Sequence, residues 1–313
     1  MTQTIRGWGE HYFFGPQTRV QKLLSLLLAP LGWVWCLLAR LRRMTAHRER
    51  FNIPVIGVGN LVMGGSGKTP MAIFLAKLSE RPAVVLRGYG RQSRGMVVVS
   101  RWGAIESDVV MAGDEAMEIA LALPHALVIV SEDRPQAIRE AERLGARVVI
   151  LDDGFGQVGI EKCEILMEGE ASPPNHRCIP AGPWRESPDT RAYADVILQE
   201  GRDFWRIVTL PEDLSGMLFV SAISKPERLE RWLPSTLARR YFPDHYTFCR
   251  EELIKAMQQV GATRLLVTGK DAVKVASLGL PYETIKLTLK VRDEIIPKLK
   301  AAIQGNDATI TIV

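Results

Sequence analysis

The sequence is short of the residues that hold metal-dependent or cross-linked folds together. Its four cysteines, at 36, 163, 178 and 249, include no C-x-x-C pair. That excludes a dense disulfide scaffold and a structural zinc site, and reduced thiols in a cytosolic setting are expected. Its five histidines show no H-x-x-x-H spacing, which removes a helix-borne zinc pair. No repeats or low-complexity tracts occur. A basic globular body is also missing. Residues 1–50 hold eight basic and two acidic side chains, a net +6, so residues 51–313 carry −1 of the chain's formal +5. A nucleic-acid-binding body would carry its own basic face, so no nucleic-acid partner is expected.

The 313 residues are 47% hydrophobic, enough for a packed core and for about two domains. The longest apolar stretch, Leu23–Ala39, runs 17 residues without a charge and contains Pro30 and Gly32. A straight membrane-spanning helix needs about 20. Trp33 and Trp35 lie inside the run, and Arg40, Arg42 and Arg43 follow it, a cluster that anionic headgroups attract. Glu10 in a long leader and the lack of a small-x-small site argue against a cleaved signal peptide. Residues 1–50 therefore read as a membrane-associated segment, broken at Pro30 and lying in one leaflet.

From residue 53 onward, short β-branched runs alternate with helical patterns for about 100 residues, which implies a parallel sheet with helices on both faces. Strands are expected at 53–60, 83–86, 96–100, 126–130 and 147–151, and helices at 68–80, 113–123 and 134–144. A long Pro-, Gly- and Arg-rich loop is expected over 166–201. A second, smaller α/β domain is expected beyond residue 205, with strands at 217–222, 246–249, 264–268, 284–289 and 309–313 and a helix from Pro226. The division is thus 1–50, 51–205 and 206–313.

The sharpest local signal is Val55–Thr69, in which a strand feeds a glycine-rich loop and the loop feeds a helix. Gly64, Gly65, Ser66 and Gly67 let the backbone wrap phosphates and turn N–H groups inward. Lys68 suits the β- and γ-phosphates of a bound ATP, and the Thr69 hydroxyl suits Mg²⁺. The strict G-x-x-x-x-G-K-[ST] pattern wants Gly at 62, and this chain has Val62. Asp152 and Asp153, at the end of an apolar strand, are the expected magnesium-side acids.

These and further motifs recur in one order along nearly the whole chain. They are V-G-N-L-x-x-G-G-S-G-K-T-P (58–70), L-R-G-Y-G-R (86–91), G-D-E (113–115), D-D-G-F (152–155), P-A-G-P-W-R-E (180–186), K-P-E-R (225–228), F-P-D-H (242–245) and T-x-K-D-A-V-K (268–274). In this order the set resembles the tetraacyldisaccharide 4′-kinase family. The resemblance implies a P-loop NTPase-type core and transfer of the γ-phosphoryl of ATP to the 4′-hydroxyl of a tetraacylated glucosamine disaccharide 1-phosphate. It implies action at the cytoplasmic face of the bacterial inner membrane, as a peripheral or monotopic protein among inner-membrane lipids, and a monomer is expected. By residue it implies Asp114 as catalytic base, His245 as its partner, and Lys68 and Thr69 at phosphate and Mg²⁺. It adds Glu186 as a further acid near the metal, and Arg87, Arg91 and Arg185 as substrate or phosphate contacts.

The residues leave alternatives open. Asp114 before a helix is also good capping chemistry. Lys270-Asp271 and Lys225-Glu227 read as ion pairs of the second domain, and Trp184 as core. The chain departs from the family pattern at Gly156-Gln157, where the family reads Gln-His, at Gly269, where it reads Glu, and at Cys163, where an Asp is typical. Those departures motivate a catalytically impaired homologue as one alternative. A P-loop GTPase or metallochaperone is another, but the best match to [NT]-K-x-D is the poor Ser224-Lys225-Pro226-Glu227.

Overall fold

The computed structural model describes residues 8–9, 11–223, 226–244 and 246–305, with the side chain of Glu227 excepted. The expected last strand at 309–313 and the pair Lys225-Glu227 lie outside what is described, as does His245. Along the chain the elements are α1 (Arg19–Thr45), β1 (Val55–Gly59), α2 (Lys68–Lys77), β2 (Pro82–Leu86), β3 (Val97–Arg101), β4 (Ala104–Ile105), α3 (Val109–Ala112), α4 (Asp114–Ala122), β5 (Leu127–Val130), α5 (Arg134–Arg143) and β6 (Val148–Asp152). They continue as β7 (Cys163–Glu168), β8 (Val196–Gln199), β9 (Phe204–Thr209), β10 (Met217–Ser221), β11 (Ala238–Tyr241), α6 (Arg250–Val260), β12 (Arg264–Thr268), α7 (Gly269–Val275), β13 (Tyr282–Val291) and α8 (Ile296–Ile303).

Contacts group the chain into two compact units. The first comprises Met1–Lys68, Ile150–Trp205 and Val291–Val313, and the second Thr69–Val149 and Arg206–Lys290. In the first unit the strand order is β6-β1-β7-β8, with β1, β7 and β8 mutually parallel. Every residue of β1 is buried, as its β-branched run requires of a strand covered on both faces. Leu61, Phe155, Leu166, Cys178 and Trp184 form a core cluster beside it, so Trp184 is core.

The second unit carries β4-β3-β5-β2 and the start of β6. β2 and β5 are parallel, whereas β3 and β4 form an antiparallel edge. It also carries a second sheet in the order β11-β10-β12-β13-β9, parallel from β11 to β13. Helix boundaries follow local chemistry. Asp133 caps α5 by accepting from Gln136 N at 2.9 Å, and Gly261 ends α6 in the left-handed region at φ 67°.

Several expectations are corrected. α1 runs through Pro30 without a break, 27 residues in all. An interior proline costs a helix about 3 kcal/mol. Here the turns on either side are docked on the protein through buried Ser25, Ala29 and Gly32. The long loop expected over 166–201 holds the end of β7 and all of β8. β7 buries four residues in a row and β8 has only four residues, so sequence alternation does not reveal them. No strand forms at 246–249, because Phe248 turns into the core with Phe242 and Leu253 as the chain enters α6. From Pro226 only one 3₁₀ turn forms, Pro226–Leu229. The four thiols are not all reduced. Cys36 of α1 is joined to Cys178, with Cα atoms 6.3 Å apart, while Cys163 and Cys249 are free.

Candidate active site

In the first unit, β1 ends at Gly59, and Asn60 turns its side chain under the loop that follows. Asn60 Nδ2 donates to Val62 O at 2.5 Å, and Asn60 Oδ1 accepts from Lys68 Nζ at 2.9 Å. Gly64 and Gly67 take positive φ, 102° and 84°, which only glycine adopts freely. Val62 is not among the left-handed residues and bridges Trp184 as a strand residue, so the missing glycine at 62 does no harm. Ser66 Oγ is buried without a hydrogen-bond partner, an atom oriented for something other than protein.

Asp152 and Asp153 stand at the end of β6 and differ sharply. Asp152 is buried, and Asp153 is half exposed with φ 56°. Asp153 Oδ1 lies 3.5 Å from Lys68 Nζ, and Arg185 Nη1 donates to both Asp153 oxygens at 2.8 and 3.0 Å. Desolvation by itself raises the Asp153 carboxyl. The charges and hydrogen bonds of Lys68 and Arg185 outweigh it, and the group sits below its ordinary value. Arg185 is anchored in turn, its N–H donating to Leu61 O at 2.7 Å. A lysine, an arginine and two carboxylates thus surround a glycine-rich loop.

Glu186, expected as a magnesium-side acid, is paired with Arg43. Arg43 of α1 takes both its oxygens, at 2.5 and 3.0 Å, and also donates to Phe155 O at 2.9 Å. Among the described residues no cluster of three or more His, Cys, Asp or Glu converges on one point. Cys163, where the family pattern has an acid, is pushed up to about 12, chiefly by burial, so it is inert as a thiolate. Gly156 faces open space, so its missing side chain leaves no hole.

In the second unit, Asp114 is 6% exposed and is the first residue of α4. Gly113 occupies the cap position at φ 88°, so Asp114 is not the N-cap. Asp114 Oδ1 accepts from Glu115 N at 3.1 Å, and Oδ2 lies 3.9 Å from Lys270 Nζ and 3.8 Å from Lys274 Nζ. Lys270 also pairs with Glu115 at 3.1 Å, and Lys274 with Asp271 at 3.1 Å. Lys270 therefore is no partner of Asp271. Both lysines of T-x-K-D-A-V-K serve Asp114, a role that reading the sequence by itself missed, although their i, i+4 spacing puts them on one face of α7. Burial disfavours charge on Lys270, but Glu115 and Asp114 more than compensate and raise it.

The arginines of the second unit divide. Arg87 is exposed. Arg91 has a side chain only 2% exposed, donating to Ser93 Oγ at 3.1 Å, Gly95 O at 2.5 Å and Glu132 Oε1 at 2.7 Å. It organises its loop rather than presenting a free guanidinium. Thr69 begins the second unit within α2, directly after Lys68.

The family model for tetraacyldisaccharide-1-P 4′-kinase (LpxK) matches residues 24–306. The chain belongs to the tetraacyldisaccharide 4′-kinase family. Proteins described as tetraacyldisaccharide 4′-kinase from Aliarcobacter butzleri (strain RM4018) and Helicobacter pylori (strain ATCC 700392 / 26695) are each 40% identical to it. The first alignment covers 94% of this chain and 96% of the relative, the second 93% of each. A crystal structure of "apo" form LpxK from Aquifex aeolicus in complex with ATP has a TM-score of 0.75 at 26% identity, covering 92% of this chain and 100% of that one. The kinase core is thus a parallel α/β sheet whose glycine-rich loop follows β1, as its motifs led us to expect.

Proposed function

We propose that this kinase transfers the γ-phosphoryl group of ATP to the 4′-hydroxyl of a tetraacylated glucosamine disaccharide 1-phosphate, with Mg²⁺, at the cytoplasmic face of the inner membrane. The observation that carries the reading is the lattice Asn60–Lys68–Asp153–Arg185 around a loop whose Ser66 Oγ lacks a partner. A triphosphate supplies the acceptor oxygens that Ser66 and the loop N–H groups need. Bound Mg²⁺ would neutralise phosphate charge, and the residues present suit it: a hydroxyl at Thr69 and a buried carboxylate at Asp152, hard oxygen donors both.

The chain's own side chains divide the remaining work. Lys68 meets phosphate charge, held on line by Asn60 and Asp153. Arg185 holds Asp153 and is itself available to an anion that displaces the carboxylate. Asp114 accepts the proton of the sugar hydroxyl as the new P–O bond forms, with Lys270 and Lys274 both within 4 Å of it. His245 is proposed as its partner and Arg87 as a substrate contact, on the resemblance.

α1 supports membrane placement. Gln21, Ser25, Ala29 and Gly32 make a buried stripe along one side. Leu23, Leu26, Leu27, Leu31, Trp33, Val34, Leu37, Leu38 and Leu41 stand exposed on the rest. Length and composition would let this helix cross a bilayer, but its buried stripe favours lying along the protein with the leucines in one leaflet. Incubating the protein with labelled ATP, Mg²⁺ and acylated disaccharides tests the reading. Label on the 4′-oxygen is expected, and nucleotide binding without transfer would mark an impaired homologue.

A further inference from the structure

α4 and α7 meet in the second unit at a point where a side chain has been left out. A Cβ built on Gly269 would lie 2.5 Å from Glu118 Oε1, so the Glu118 carboxylate occupies the space that any other residue at 269 would use. Glu118 is four residues after Asp114, on the same face of α4. The next residue along α7, Lys270, is the one that reaches Glu115 and Asp114.

We propose that Glu118 is a positioning residue for the phosphoryl transfer: from its seat over Gly269 it sets, by its charge, the proton affinity of Asp114 and the hold of Lys270 on it. The proposal rests on Asp114 being the base. The family pattern reads Glu at 269, where this chain has Gly, and the space beside Gly269 is filled here by the Glu118 carboxylate.

The charged groups facing Glu118 are Asp114 and Glu115 on its own helix and Lys270 and Asp271 on α7. Lys274 on α7 and Asp244 in the preceding loop face the same lysine–carboxylate group. Burial pushes Glu118 up to about 7; Lys270 lowers it less than burial raises it, and Glu115, Asp114 and Asp271 add to the rise. Below that pH Glu118 is neutral, and both lysines serve Asp114. Above it a further negative charge sits behind Asp114, making Asp114 a stronger base. The step from weaker to stronger base falls near neutral pH.

The test measures kcat against pH from 5.5 to 8.5 for the full-length protein in mixed micelles, with ATP, Mg²⁺ and the acylated disaccharide. Wild type is expected to rise about tenfold through a step near pH 7, the scale on which one neighbouring charge moves a carboxylate. E118Q is expected to lie flat at the lower level with KM for ATP unchanged. E118A/G269E, which returns the carboxylate to α7, is expected to restore the step, and it carries the test if E118Q fails to fold. A step unchanged in E118Q, or still absent in a folded E118A/G269E, overturns the proposal. D114N separates the two readings. Loss of transfer in D114N beside a wild-type profile in E118Q removes only the role of Glu118, whereas full activity in D114N removes the base as well.

Discussion

At the scale of single residues, the two carboxylates central to the proposed chemistry sit in different surroundings. Asp153 is half exposed and clasped by two cations; Asp114 is buried between two lysines at nearly 4 Å. Asp114→Asn is expected to lower kcat by about 10²–10⁴, the usual worth of a positioned base, with ATP affinity kept; equilibrium binding beside turnover checks it. Lys68→Ala should weaken ATP binding about 10- to 100-fold, since a hydrogen bond to a charged group contributes about 1.5–3 kcal/mol; calorimetric titration reads this directly. The residue identities at the phosphate loop were legible in the sequence because backbone wrapping demands glycine. The lysine pair beside Asp114 was not, since Lys270 and Asp114 are 156 positions apart and only folding brings α7 to α4.

At the scale of elements, α1 shows what composition reveals and what it hides. Its apolar run and trailing arginines lead one to expect a membrane-facing helix, but the buried stripe that fixes its orientation is invisible without the surface it packs on. Ser25 Oγ donates to Ala181 O at 2.7 Å and Trp35 Nε1 to Arg185 O at 2.7 Å. The same surface brings Cys36 to Cys178 across 142 residues. Replacing exposed Leu26, Leu27, Leu37 and Leu38 by Ser should abolish sedimentation with anionic vesicles. The thermal midpoint should stay within a few degrees, because those side chains are not in the core. Unchanged vesicle recovery would count against docking by this face. Elements with strong β-branched or cap signals, such as β1, α5 and β12, appear where expected. β7 and β8 do not announce themselves, because a buried four- to six-residue run carries no period.

For the whole molecule, the titrating groups set a pH window. Glu118 and Glu164 are each raised to about 7, mainly by burial, so their neutral forms belong to the folded state. Their contribution is full below the ordinary carboxylate value and is lost as pH rises through 7. Asp153 acts oppositely: its contribution is present above its ordinary value and lost as pH falls through its lowered one. Resistance to urea is therefore expected to be greatest in mildly acidic buffer and to decline toward pH 8. Glu118→Gln should flatten part of that decline, and unfolding midpoints at pH 5, 6 and 8 measure it.

The hydrogen bond from Trp35 to the carbonyl of Arg185, together with the grip of Arg43 on Glu186, fastens the anchor to the very segment that holds Asp153. On the proposed membrane placement, an enzyme built this way would ride at a set height over the lipid and hunt for its acceptor in two dimensions, like a plough whose blade depth is fixed by its wheel.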